Sequence, residues 1–121
     1  MIKEYNKLIR DKVPSILDHR NIKYSIHRAG SQEEFLKYLL AKVHEEADEL
    51  QQAITNPHGA MDNTIASEIG DIYEVLDALT RELGLDPDHI GEIQAKKRET
   101  NGGFVSRIIL EWTEENTHST K

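Results

Sequence analysis

Apolar positions along the chain change period more than once, and each change marks an element. Ile22, Tyr24 and Ile26 alternate with polar residues, the two-residue period of a short strand with one wet face. From about residue 32 to 55, Phe35, Leu36, Leu39, Leu40, Val43, Leu50, Ala53 and Ile54 recur at spacings of three and four, which predicts a long amphipathic helix. Ile65, Ile69, Ile72, Leu76, Leu79 and Leu83 repeat that spacing and predict a second. The segment FVSRIILEW, 104–112, reads as a second strand able to pair with residues 22–28.

Local signals place the boundaries. Pro14 suits the first turn of a short helix over 14–20, with Ile16 and Leu17 as its apolar residues. Gly30 breaks the first strand, and Ser31 with Glu34 three residues on forms a capping box for the first long helix. Asn56-Pro57-His58-Gly59 ends that helix, Asp62 or Asn63 caps the second, and Gly84 stops it. Asp86-Pro87 opens a fourth helix reaching roughly Thr100, and Asn101-Gly102-Gly103 turns the chain out of it. With no internal repeat or linker, residues 1–113 are expected to form a single domain, followed by a polar tail over 114–121. The expected fold class is mainly α, a helical bundle with a small two-stranded β element. Two long helices make only half of a four-helix bundle, and dimerisation that completes it would bury both apolar stripes; a monomer closed by the short helices is the other solution.

Composition narrows the chemistry. The chain of 121 residues has no cysteine, which removes disulfides and thiolate metal sites and favours an intracellular, cytoplasmic setting. No apolar run approaches a membrane span and MIKEYNKLIRDK lacks a signal-peptide core, so a soluble protein without a membrane partner is expected. A net charge of −7 argues against binding nucleic acid over a broad surface. The charge is unevenly spread: residues 1–28 hold seven Lys/Arg against three Asp/Glu, and residues 42–83 hold ten Asp/Glu against two Lys/Arg. Such a partition suits carboxylates that hold divalent cations beside basic groups that hold a polyanion, although solvated surfaces would give the same count.

The acids in HEEADEL, 44–50, are not all on a wet face. At about 100° per residue and with Glu46 as origin, Leu39 lies at about +20°, Leu50 at +40°, Val43 at +60° and Ala53 at −20°. Glu46 is therefore inside the apolar stripe, Glu49 at about −60° is at its edge, and Glu45 at about −100° lies further round. On the second long helix Glu68 is about 40° from Ile72, and Asp71 about 100° from it on the same side. Each helix thus carries an acid pair at i,i+3 on the border of its buried face. Ionised carboxylates placed there need a cationic partner. Lys42, one turn before Glu46, supplies an ordinary salt bridge for one of them but not for all. Mg²⁺, with Mn²⁺ as its substitute, takes oxygen ligands and bridges carboxylates to phosphates. A di-iron site would need Glu-x-x-His pairs on bundle helices, and the only such spacing, Glu115/His118, lies in the tail.

EEADE (45–49), an interval of eighteen residues and EIGD (68–71) together resemble the EExxE…ExxD signature of the all-α nucleoside triphosphate pyrophosphohydrolases. These are the MazG-like group, with its relatives the dimeric dUTPases and phosphoribosyl-ATP pyrophosphohydrolases. YNKLIRDKVP (5–14) and KRETNGGF (97–104) resemble more narrowly the MazG-like subfamily labelled phosphoribosyl-ATP pyrophosphohydrolase-like, so the likeness runs from residue 5 to about 110. It implies Mg²⁺-dependent hydrolysis between the α- and β-phosphates of a nucleotide, giving a monophosphate and pyrophosphate. It implies Glu46, Glu49, Glu68 and Asp71 as metal ligands, with Glu45 to orient or deprotonate the attacking water or to act as a further ligand. Lys7, Arg10, Lys12, Lys42, Lys97 and Arg98 are the candidates for binding substrate; an N-terminal arm that merely ties down the bundle through Leu8, Ile9 and Val13 would explain the first three equally well. Asn101 stands where the family usually has an Arg before Gly-Gly-Phe. Phe104 and Trp112 could stack on a base but, on a short strand, are read as core, and no role is assigned to the scattered histidines.

The expected function is a house-cleaning hydrolase acting on non-standard NTPs or dNTPs, self-associating as a dimer or tetramer. Phosphoribosyl-ATP hydrolysis in histidine biosynthesis is the alternative of the same chemistry, and a non-catalytic helical binding module the alternative of another class.

Overall fold

A computed structural model describes residues 1–56 and 62–115, the side chains of residues 62 and 63 excepted. The expected helix stop at Pro57–Gly59 and most of the polar tail, including His118, lie outside the described residues, as do the capping side chains of Asp62 and Asn63. The architecture is mainly helical, with α1 Val13–His19, α2 Gln32–Thr55, α3 Asp62–Glu82 and α4 Pro87–Asn101. No helix among the described residues is long and apolar enough to cross a membrane. The chain divides into two compact units, Met1–Asp86 and Pro87–Lys121.

In the first unit, α2 packs against α3. The Gln32 side-chain amide at the start of α2 donates to the Glu82 carbonyl at the end of α3, at 3.2 Å, so the two run antiparallel. Leu39, 1% exposed, and Val75 are the buried apolar side chains of this pair. Phe35, Val43, Leu50, Ile65, Ile72 and Leu79 are half-buried around them. The other edge of each stripe stays open: Leu40 and Ile54 on α2, and Ile69, Tyr73 and Leu76 on α3, are exposed. By the same angular spacing, these residues sit on the side of each helix turned away from its acids.

Local chemistry sets the ends. Ser31 adopts an extended conformation and its hydroxyl accepts from the Glu34 N–H at 3.1 Å, the N-cap expected for α2. The reciprocal half of the capping box is shifted by one residue, because the Glu34 carboxylate accepts from the Gly30 N–H at 2.7 Å and meets His27 Nε2 at 3.0 Å. At the end of α3, Leu85 donates to the Thr80 carbonyl and Gly84 to that of Arg81, a Schellman motif that needs the left-handed φ of 67° at Gly84. The same pair of bonds closes α1, with Asn21 at φ 55° in the glycine's place.

The two-stranded β element does not form among the described residues. Residues 22–28 have no ladder, and the expected partner is not continuous. The chain turns at 104–106, where Arg107 takes a left-handed φ of 59° and donates to the Phe104 carbonyl at 3.2 Å. A ladder needs an unbroken extended partner, and this turn cuts FVSRIILEW near its start. In the second unit α4 carries no buried residue.

The caps generate a measurable expectation. Ser31→Ala removes the acceptor for the Glu34 N–H and should cost about 1 kcal/mol in urea unfolding. Gly84→Ala meets no atom within 4 Å, so its loss of about 1 kcal/mol should come from the positive φ alone. Gly70→Ala, in mid-helix with equally open space, should instead be neutral or stabilising.

Candidate functional site

Side-by-side packing of α2 and α3 brings together acids that are more than twenty residues apart in the chain. Glu46 from α2 and Glu68 and Asp71 from α3 present carboxylate oxygens that all lie within 4.8 Å of one another. Glu46 is only 5% exposed, where the helical projection places it, one helical neighbourhood from Leu39. Glu68, Asp71 and Glu49 are half-buried. Glu46 Oε2 and Glu68 Oε2 are buried oxygens that no donor reaches among the described residues.

Cations border this cluster without filling it. Lys42 Nζ lies 3.0 Å from Glu45 and 3.6 Å from Glu46 Oε1, so one ammonium serves two acids. From the irregular N-terminal segment, Lys7 Nζ reaches Glu45 at 3.0 Å and Arg10 Nη2 reaches Asp71 at 2.6 Å. The basic leading segment therefore straddles the helix pair, with Lys7 on α2 and Arg10 on α3. Sequence reasoning placed these two residues beside a phosphate and missed that they pair directly with the acids. The unequal charge of residues 1–28 and 42–83 was the available signal.

The imbalance shows in the titration of the acids. Burial, then the neighbouring Glu49 and Asp71 charges, raise Glu46 to about 7, with Lys42 pulling the other way. Burial and the Glu49 charge likewise raise Glu68 above the usual carboxylate range. Glu45 behaves oppositely: burial pushes it up, but hydrogen bonds from Lys42 and Lys7 outweigh this and hold it below its ordinary value.

The remaining candidates are not gathered here. Lys12 takes the N-cap position of α1, is exposed, and makes no ion pair among the described residues. Lys97 and Arg98 are exposed on α4, in the second unit, and their candidacy rests on the sequence pattern. A hollow of about 780 Å³ lined by Asp18, Asn21, Ile22, Lys23 and Tyr24 includes none of the acids and gathers no comparable chemistry. No family model matches the chain, and neither the curated proteins nor the solved structures contain a significant match to it.

The donor set suits a hard divalent cation. The oxygens come from two facing helices, they are close enough to share one ion with small side-chain adjustments, and Glu46 and Glu68 each carry a buried oxygen that no donor reaches among the described residues. Without such an ion the acids repel, and this has a pH signature. Glu46 holds its proton more tightly folded, at about 7, than unfolded, at about 4.3, so stability falls as pH rises through that window and the full penalty stands above it. In chelator, Glu46→Gln should therefore stabilise the protein on the order of 2 kcal/mol at about pH 8 and leave it nearly unchanged at about pH 4. Urea midpoints at the two pH values measure the difference. Equal effects at both would contradict a raised Glu46.

Proposed function

We propose that this protein is a Mg²⁺-dependent nucleotide pyrophosphohydrolase of the MazG-like class, acting in the cytoplasm on (d)NTPs and releasing a nucleoside monophosphate and pyrophosphate. The observation that carries this reading is the convergence of Glu46, Glu68 and Asp71 with two buried carboxylate oxygens lacking a donor. The motif resemblance, EEADE with EIGD, supports the same residues.

Glu46, Glu68 and Asp71 would hold the cation, with Glu49 beside them. The chemistry such a cation would supply there is charge to neutralise phosphate oxygens and to make the attacking water more acidic. The chain's own residues do the rest. Glu45, kept ionised by Lys42 and Lys7, is a weak base and a good acceptor, which suits it to orient the attacking water. Lys7, Lys42 and Arg10 stand at the rim of the acids, where their cationic groups would meet the phosphate chain while still bordering Glu45 and Asp71. Lys12, Lys97 and Arg98 are further candidates for the same anion.

We also propose that the working form is a dimer or a tetramer. The exposed stripe of Leu40, Ile54, Ile69, Tyr73 and Leu76 is the unpaired half of a bundle interface, and a second copy offers the same stripe in return.

With Mg²⁺ and a panel of nucleotides, pyrophosphate release should be seen and should stop with chelator. Glu46→Gln and Asp71→Asn should each lower it more than about a hundredfold, beyond the ~10–100-fold typical of outer-sphere partners, with the helical circular dichroism kept. Phosphoribosyl-ATP in the same panel distinguishes the histidine-pathway substrate. No metal-dependent release from any of them would reject the activity. For the assembly, light scattering should give a multiple of the 13.9 kDa chain mass, and Tyr73→Glu should shift it toward the monomer.

A further inference from the structure

Next to the acids lies a cleft whose N-terminal wall is the start of the YNKLIRDKVP segment. It opens between the N-terminal segment at residues 5–8 and one flank of α2, and has a volume of about 540 Å³, within the range of small-molecule sites. On α2, Lys37, Tyr38, Ala41, Lys42 and Glu45 line it. The last four are i, i+3, i+4 and i+7 along one helix face, so the cleft runs along two turns and ends at Glu45, the neighbour of Glu46. Ala41 leaves the floor low. The opposite wall is Tyr5, Asn6 and Lys7, bent by the left-handed φ of 47° at Asn6.

Two kinds of chemistry meet in this space. Tyr5 and Tyr38 supply aromatic surface, one from each wall. Lys7, Lys37 and Lys42 supply three ammonium groups in a protein whose net charge is −7. The two kinds are interleaved: Lys7 stands over the Tyr5 ring at 5.4 Å and Lys37 over the Tyr38 ring at 5.8 Å. An apolar ligand would make no use of the three lysines, and a bare phosphate would leave the rings unused. A planar ring carrying a phosphate answers both, with its phosphate directed to the Glu45 end, where Lys7 and Lys42 converge.

We propose that this cleft is the subsite for the planar heteroaromatic ring of a phosphorylated ligand, a nucleobase when the ligand is a nucleotide, held by Tyr5 and Tyr38 and read at its edge by the Asn6 amide. This rests on the reading of the adjacent acids as the place where the phosphate chain is cleaved, and puts ring selection in the N-terminal segment. The Asn6 side chain offers both a donor and an acceptor, as a base edge does.

The test is binding of nucleoside monophosphates in chelator, followed by calorimetry and by saturation-transfer NMR on the ring protons, with inorganic pyrophosphate as the ringless probe. Tyr5→Ala and Tyr38→Ala should each weaken the monophosphate about tenfold, the usual scale for loss of one stacking ring, while Tyr38→Phe keeps the affinity and pyrophosphate binding stays unchanged. Tyr5 is 59% exposed, so its variant is safe for folding even where Tyr38→Ala is not. No ring-dependent binding to the unaltered protein, or equal weakening of both probes, overturns the subsite. Failure of the two readings is separable. Ring binding that depends on both tyrosines without any nucleotide hydrolysis would reject the activity and keep the cleft; hydrolysis with unchanged KM in both alanine variants would reject the cleft and keep the activity.

Discussion

The first unit depends on a conflict at the α2–α3 contact: the same two helix faces that bury Leu39 and Val75 also draw Glu46 out of water. A carboxylate at 5% exposure must be neutralised, either by a proton or by a cation. The surroundings offer too little positive charge for that, since Lys42 is shared between Glu45 and Glu46 and the nearest oxygens beyond it belong to Glu49, Glu68 and Asp71. A raised affinity for protons at Glu46 and Glu68 is the direct result. A helix pair built only for stability would place apolar residues at these borders, as charged pairs in a core rarely beat packed hydrocarbon.

The basic N-terminal segment is best understood through this conflict. It has no regular structure before α1, and it is anchored by Lys7 to Glu45 and by Arg10 to Asp71, acids on different helices. Both pairs are partly exposed, so neither contributes much stability. Their importance is positional: they hold the segment across the acids and so create the second wall of the cleft beside α2. The acid cluster and the cleft share the Glu45 corner, and a phosphorylated ring would span them.

Apolar surface points the same way as charge. A pair of helices in which Ile69, Tyr73 and Leu76 stay open on one side has an incomplete core, and the residues concerned lie on the other flank of the apolar stripe from the acids. Covering it would leave the acidic side free. The separation of the two faces would let one helix pair serve the proposed association on one side and the proposed chemistry on the other.

Helix positions were legible in the sequence because their causes are local. The i,i+3 and i,i+4 repeats of α2 and α3, the Ser31 cap and the Gly84 stop depend on neighbours a few residues away, and the structure places α2 over the range expected. The burial of Glu46 was legible too, since its angle to Leu39 and Leu50 follows from helical pitch alone. The β element was not. An alternating pattern reports only that a segment suits a sheet, whereas a ladder needs a second unbroken segment, and the turn at 104–107 interrupts the expected one. Not legible either were the contacts of Lys7 and Arg10 with acids 38 and 61 residues away, or the meeting of Tyr5 and Tyr38 at one cleft. Sequence by itself determined which helices form and which acids lie at their buried borders, because pitch and capping act within a few residues. Only the tertiary structure decided which oxygens meet and which cations stand against them, because those distances are set by how separate segments pack.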